Sequence, residues 1–233
     1  DAVNVPVADL LNPAYIKSRA DSGFAPGDAP QPGDPGAVLH NKPIRDQWGR
    51  DTGAPQPGTT HRSFVDFEGN AVSLTATVEG PFGSSRWTNG FVLNNQLTDF
   101  TRPPTLNGKP VANAPGPGKR PRSSMSPTIV SRDGEPVLVI GSPGGSRIIT
   151  VVVHLLLNTI DHGMNLQEAI DAPRFHQQWL PEGTSVEEFA LSPDTRRILV
   201  DMGHKFTDAK PWSHAIGIVV GAPSLGGTAR EGN

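Results

Sequence analysis

Two β-rich runs, His61 to Phe67 and Ala71 to Val78, flank Glu68-Gly69-Asn70, and this arrangement constrains the chain more than any other feature. Such runs joined by a short Gly-Asn turn predict a tight antiparallel hairpin. Immediately upstream the character is different. From Asp21 to Gly58 glycine and proline recur (GFAPGDAPQPGDPGAV, then DTGAPQPG) with no periodic signal, the composition of an exposed, proline-stiffened linker. The change falls at Gly58–Thr59. It divides the chain into a 1–58 segment and a 59–233 domain.

The remaining signals extend the hairpin into an α+β fold. Val7 to Ala20 has helical spacing, with Asp21-Ser22-Gly23 as its stop. Phe91 to Leu93 is a short strand. Ser126 to Val130 and Pro136 to Ile140 flank a second turn, Arg132-Asp133-Gly134-Glu135. Gly141-Ser142-Pro143-Gly144-Gly145-Ser146 is a glycine-rich turn entering a helix from Arg147 to about Asp161, whose apolar run, Ile148 to Leu157, reads as buried. Asn165 caps a helix over Leu166 to Asp171, Ser192-Pro193 opens another that Gly203 closes, and Ala215 to Val220 is a last strand. Hairpins, then helices, then a strand predict an antiparallel sheet layer covered by helices.

With 233 residues, one core or one core plus a tail is expected. A net charge of −3 and a pI near 6.2 leave no basic patch for nucleic acid. Zero cysteines exclude disulfides and thiolate metal sites. The longest apolar run is well short of the roughly 20 residues that span a bilayer. The chain begins with Asp and shows no charged-then-apolar leader, so any targeting peptide is expected to have been removed or to lie upstream. His61, His154, His162, His176, His204 and His214 lack metal-ligand spacing, and no metal or cofactor is expected. Trp87, Trp179 and Trp212 read as packing residues.

Thr59 carries the sharpest chemical suggestion. A threonine hydroxyl is a poor nucleophile without a base beside it, and a free α-amine on the same residue supplies one. A flexible segment ending at Thr and a strand beginning there suit that arrangement, although Thr-Thr before a strand is also ordinary β-propensity. Gly144 and Gly145, free of side chains at a helix entrance, can aim backbone N–H groups at a developing oxyanion. A plain tight turn is the alternative reading. A phosphate loop fits less well, because its Lys-Ser/Thr ending is missing.

Several motifs follow one another along the chain: Thr59-Thr60-His61, Gly69-Asn70-Ala71-Val72-Ser73, Asn94-Asn95-Gln96 with Asp99-Phe100, Pro117-Gly118-Lys119-Arg120-Pro121, Ser123-Ser124-Met125-Ser126-Pro127-Thr128 and Gly141 to Arg147, then Ala172 to His176 and Gln178 to Pro181. In order and spacing they resemble the γ-glutamyltranspeptidase family. The likeness covers Thr59 to about Gly221, with Val5 to Ala20 similar to the end of the large subunit. It implies an N-terminal-nucleophile hydrolase fold, an αββα sandwich of two stacked, mainly antiparallel sheets between helical layers. It further implies self-cleavage at Gly58–Thr59. Thr59 would then attack a γ-glutamyl amide of a glutathione-like donor, and the acyl-enzyme would pass to an amino acid, a peptide or water.

By the same resemblance Thr77 bonds the nucleophile, and Gly144 and Gly145 form the oxyanion hole. Ser123 and Ser124 hold the donor α-carboxylate, while Gln96 and Asp99 hold its α-ammonium. Glu79 stands where many members have Asn at another α-ammonium contact. A second carboxylate there either strengthens cation binding or marks a branch related to cephalosporin and glutaryl acylases. The Thr101–Gly116 segment resembles the family's lid but has no tyrosine, and the family's usual C-terminal ending is not seen after Leu225. The implied partner is the large subunit of the same precursor, no arginine of which can be assigned here. The implied location is periplasmic or secreted. An uncleaved precursor with only a binding or structural role is the remaining alternative.

Overall fold

A computed structural model describes residues 3–23, 31–51, 58–180 and 182–221. Two compact units make up the chain, one of Asp1–Ala54, Gln96–Arg122 and Met202–His204, the other of Pro55–Asn95, Ser123–Asp201 and Lys205–Asn233.

In the first unit, the single helix expected over Val7 to Ala20 is two, α1 (Val7–Leu10) and α2 (Pro13–Asp21). The Asn12 side chain accepts a 2.9 Å bond from the Ala14 N–H and Pro13 occupies the first turn, so a new helix begins where the periodic pattern runs on. The described part of the stretch read as an exposed, proline-stiffened linker holds a short helix. Helix α3 (Pro35–His40) is capped by Asp34, which accepts from the backbone of Ala37, Ile44 and Arg45 at 3.0, 2.9 and 2.8 Å. Those bonds hold the Asp34 carboxyl below its ordinary range, the Arg45 N–H being the largest cause. Residues 24–30 and 52–57, the rest of the expected linker, lie outside the described residues. In the 96–122 part, Phe100, Thr101, Val111 and Ala114 are buried around a short Thr105–Leu106 to Lys109–Pro110 ladder.

The second unit is layered. Strand β1 (Thr59–Val65) pairs antiparallel with β2 (Ala71–Thr77), the hairpin expected from sequence. Its turn is fixed by Asp66, whose Oδ1 accepts from the Glu68 and Asn70 N–H groups, both at 2.9 Å. Strands β3 (Thr128–Arg132) and β4 (Glu135–Gly141) form the second hairpin. Helix α4 (Ile148–Leu156) follows and ends in a π-turn through Asp161; α5 (Leu166–Asp171) has a full capping box between Asn165 and Glu168. Beyond them lie β5 (Phe175–Gln177), β6 (Thr184–Glu187), α6 (Pro193–Asp201), β7 (Phe206–Ala209) and β8 (Ile216–Val219). One sheet runs β8-β4-β3, wholly antiparallel, and a small one runs β7-β6-β5 with β6 and β7 parallel.

Burial explains the stacking. Leu138 and Ile140 of β4 pack with Ile148, Val151, Val152 and Leu155 of α4 and with Leu166, Ala169 and Ile170 of α5. The β1–β2 hairpin lies on the opposite face of that sheet, where Ser63 Oγ reaches the Val139 carbonyl at 3.4 Å and Ser73 Oγ the Ile140 carbonyl at 3.0 Å. Two sheets face each other, and helices back one of them. Helix α4 is not buried all round as its composition suggests: Ile149, Val153 and Leu157 are 52, 45 and 45% exposed. The outward face of the hairpin is uncovered too, with Phe64, Val72 and Leu74 each about half exposed. Trp87, expected to pack, is 69% exposed.

Candidate active site

The hairpin register sets Thr59 directly opposite Thr77. Alternation along β1 puts Thr59, His61 and Ser63 on the face turned to the second sheet. The Thr77 hydroxyl donates to the Gly58 carbonyl at 3.3 Å and accepts from the Glu79 N–H at 2.8 Å. Its proton is thereby directed at the carbonyl of the Gly58–Thr59 peptide.

Glu79 leaves β2 with a φ of 76°, in the left-handed region that non-glycine residues avoid. Its side chain is 3% exposed. Oε2 accepts a bond from Asn95 Nδ2, and Oε1 is buried with no partner among the described residues. Asn95 also accepts the Gly80 N–H at 2.9 Å and donates its own N–H to the Val78 carbonyl at 3.2 Å.

His61 joins the hairpin to the strand that leads into the glycine turn. Its ring, 1% exposed, bonds Thr75 Oγ1 at 2.7 Å and Ser63 Oγ at 3.1 Å. It lies against the Cα of Gly141, where an added Cβ would meet ring atoms at 2.2–2.6 Å. Burial lowers its pKa, and the neighbouring Arg62 guanidinium lowers it further.

Past Gly141 the chain turns sharply. Gly144 and Gly145 have φ of 135° and 60°, and a 3-10 turn over Gly145–Arg147 leads into α4. Ser142, fully buried, donates to the Pro143 carbonyl at 2.6 Å, so Ser213 Oγ donates to it at 2.5 Å. Arg147 stacks over the Trp212 ring at 4.6 Å, and the buried Glu187 accepts the Trp212 N–H at 3.3 Å and the Arg174 N–H at 3.0 Å. Buried side chains thus fix the turn from behind.

Thr59, Thr77 and Glu79 are brought together at the mouth of the hairpin, and His61 ties them to the strand that leads into the Gly144–Gly145 turn. Ser123 and Ser124 lie in the same unit on the approach to β3; Ser123 Oγ accepts the Met125 N–H at 3.2 Å, and the Ser124 carbonyl accepts Ser126 Oγ at 3.0 Å. Gln96 and Asp99 belong to the other unit, on a 3-10 turn where Gln96 Nε2 donates to Asp99 Oδ2. Among the described residues no cluster of His, Asp or Glu is placed to hold a metal. An apolar groove lined by Val130, Leu138, Ile160, Met164 and Val219 contains none of these residues. Asn95, Ser142, Ser213 and Glu187 were not assigned from sequence, because no spacing links them to the residues they support.

A hairpin with threonine at the head of its first strand, stacked on a second antiparallel sheet backed by helices, defines an N-terminal-nucleophile hydrolase. The γ-glutamyltranspeptidase family model matches residues 1–230. The glutathione hydrolase proenzyme of Pseudomonas sp. (strain A14) is 48% identical over 97% of this chain and 38% of its own length; that of Escherichia coli (strain K12) is 42% identical over 95% and 37%. Among solved structures, an acivicin-inhibited γ-glutamyltranspeptidase superposes with a TM-score of 0.65 at 42% identity, covering 72% of this chain and 96% of that one. The Pseudomonas nitroreducens enzyme complexed with L-DON gives 0.64 at 38% identity, covering 72% and 93%. The chain belongs to the γ-glutamyltranspeptidase family and spans just over a third of the length of those two proenzymes. Among the described residues no helix is long and apolar enough to cross a membrane.

Proposed function

We propose that this chain is the catalytic part of a self-cleaving γ-glutamyl transferase and hydrolase, with domains divided at Gly58–Thr59. In the first step Thr59 Oγ1 attacks the Gly58 carbonyl carbon. The amide is exchanged for an ester, and the hydroxyl proton passes to the freed Thr59 amine. Water then hydrolyses the ester, leaving a Gly58 carboxylate and a Thr59 that carries both nucleophile and base. The observation that carries this reading is the Thr77 hydroxyl bonded to the Gly58 carbonyl, directly across the hairpin from Thr59.

In turnover the Thr59 amine takes the hydroxyl proton as Oγ1 attacks the γ-glutamyl amide carbon. The N–H groups at Gly144 and Gly145 stabilise the oxyanion. The leaving amine departs with the proton, and water or an acceptor amine releases the γ-glutamyl ester. Ser123 and Ser124 receive the donor α-carboxylate; Glu79, Gln96 and Asp99 receive the α-ammonium. Glu79 Oε1, buried and without a partner among the described residues, supports a cationic donor, since a glutaryl group would bring no positive charge to it. The half-exposed Phe64, Val72 and Leu74 support a large-subunit partner covering the hairpin, and the relatives' greater length is consistent with one. Following the family likeness, the location is periplasmic or secreted.

N-terminal sequencing of the purified protein tests the first step: a new terminus beginning Thr59-Thr60-His61 is expected, and an intact bond refutes it. Comparing γ-glutamyl and glutaryl anilides tests the donor. Equal or faster release from the glutaryl compound overturns the assignment.

A further inference from the structure

The Gly58–Thr59 peptide is held from both sides by one short turn, residues 77–80. On one side the Thr77 hydroxyl meets the Gly58 carbonyl. On the other, the Glu79 carbonyl lies so close to the Gly58 Cα that an added Cβ would sit 1.7 Å from the oxygen and 2.9 Å from the Gly80 carbonyl carbon. Glu79 presents that carbonyl from a backbone with a φ of 76°. A non-glycine residue held there is strained and persists only where its surroundings over-determine it. Asn95 is what over-determines it. Its side chain clasps the turn at two points, donating to Glu79 Oε2 and accepting from the Gly80 N–H, while its own N–H bonds the Val78 carbonyl. The Val78–Glu79 peptide, whose carbonyl the Asn95 N–H holds, points its own Glu79 N–H at Thr77 Oγ1, which leaves the hydroxyl proton for Gly58.

We propose that Asn95 is a positioning residue for self-cleavage, and that glycine at position 58 is required by the turn Asn95 holds. The Asn95 bonds described above go to residues 78–80. Asn95 sets the backbone of Glu79, whose carbonyl packs against Gly58 and whose N–H engages Thr77. This inference rests on the self-cleavage reading given above.

The test measures the rate at which the whole polypeptide carrying this chain is cut, by mass analysis over time, with circular dichroism and thermal midpoint as fold controls. Asn95→Ala is expected to slow cleavage by about tenfold or more, the order of effect of releasing a strained backbone. Adding Glu79→Gly to it is expected to recover much of the rate, because glycine takes a positive φ without a clasp. If Asn95→Ala does not fold, Asn95→Asp replaces it: the acceptor for Gly80 remains, the donor to Glu79 is lost, and the same rescue applies. Cleavage of the single variant within about twofold of the parent, or no rescue in the double, overturns the proposal. A merely structural role for Asn95 would lower the thermal midpoint without that rescue. Failure of the underlying reading is separately visible, as cleavage that persists in Thr59→Ala.

Discussion

Gly141→Ala places a methyl group where the His61 ring now sits. The added carbon would lie 2.2 Å from Cε1, 2.4 Å from Nδ1 and 2.6 Å from Nε2, against an ordinary contact of 3.4 Å or more. The ring must therefore move by about an ångström or leave its site. Its bonds to Thr75 Oγ1 and Ser63 Oγ hold it from both ends, so moving it breaks them. Overpacking a core costs about 1–3 kcal/mol, and each lost hydrogen bond about 0.5–1.5 kcal/mol. The sum is about 2–6 kcal/mol, or roughly 5–20 °C in melting temperature for a chain of this size. Denaturant unfolding followed by tryptophan fluorescence measures it. The decisive comparison repeats Gly141→Ala in a His61→Ala background, where the ring is gone and the cost should fall to below about 1 kcal/mol. An equal cost in both backgrounds would refute the idea that this contact joins the two sheets.

Three further outcomes are expected. Thr77→Val, which keeps the shape and removes the hydroxyl, should slow self-cleavage by about 100-fold, the usual scale for losing one donor to a developing oxyanion; mass analysis of the precursor checks it. Burial is the first cause lowering the pKa of His61, His154 and His176, so each binds a proton less readily folded than unfolded. Their contribution to stability is therefore complete above the ordinary value of 6.5 and is lost as pH falls through 6.5 toward the lowered folded values. Melting temperatures from pH 8 to pH 5 should show this fall, and His61→Gln should make it shallower. Glu79→Gln should weaken γ-glutamyl donors, raising KM by about tenfold or more while glutaryl compounds change little, because only the former bring a cation to the buried carboxylate; steady-state kinetics with both donors decides it.

What the sequence determined by itself is the set of local structures. The turn at Glu68-Gly69-Asn70, the capping box from Asn165 to Glu168 and the proline-led helix after Ser192 each depend on residues a few positions apart. Their signals therefore stand in consecutive letters. The break between α1 and α2 was written there as well, in Asn12-Pro13, but helical spacing on both sides masked it. Within the proline-rich segment Asp34 draws its partners from as far along as Ile44 and Arg45, a distance that composition does not report.

Only the tertiary structure decided what meets what. Register set Thr59 opposite Thr77, and a one-residue slip would have turned either away. Stacking of two sheets brought His61 onto Gly141, 80 positions along the chain. Folding of the chain beyond β2 brought Asn95 back onto Glu79 and Gly80, 16 and 15 positions before it. Hydrogen bonds and close packing act over ångströms, whereas sequence records only separation along the chain. Residues that bear chemistry can therefore be nominated from their types and order, and those that hold them in place emerge only once the chain has folded.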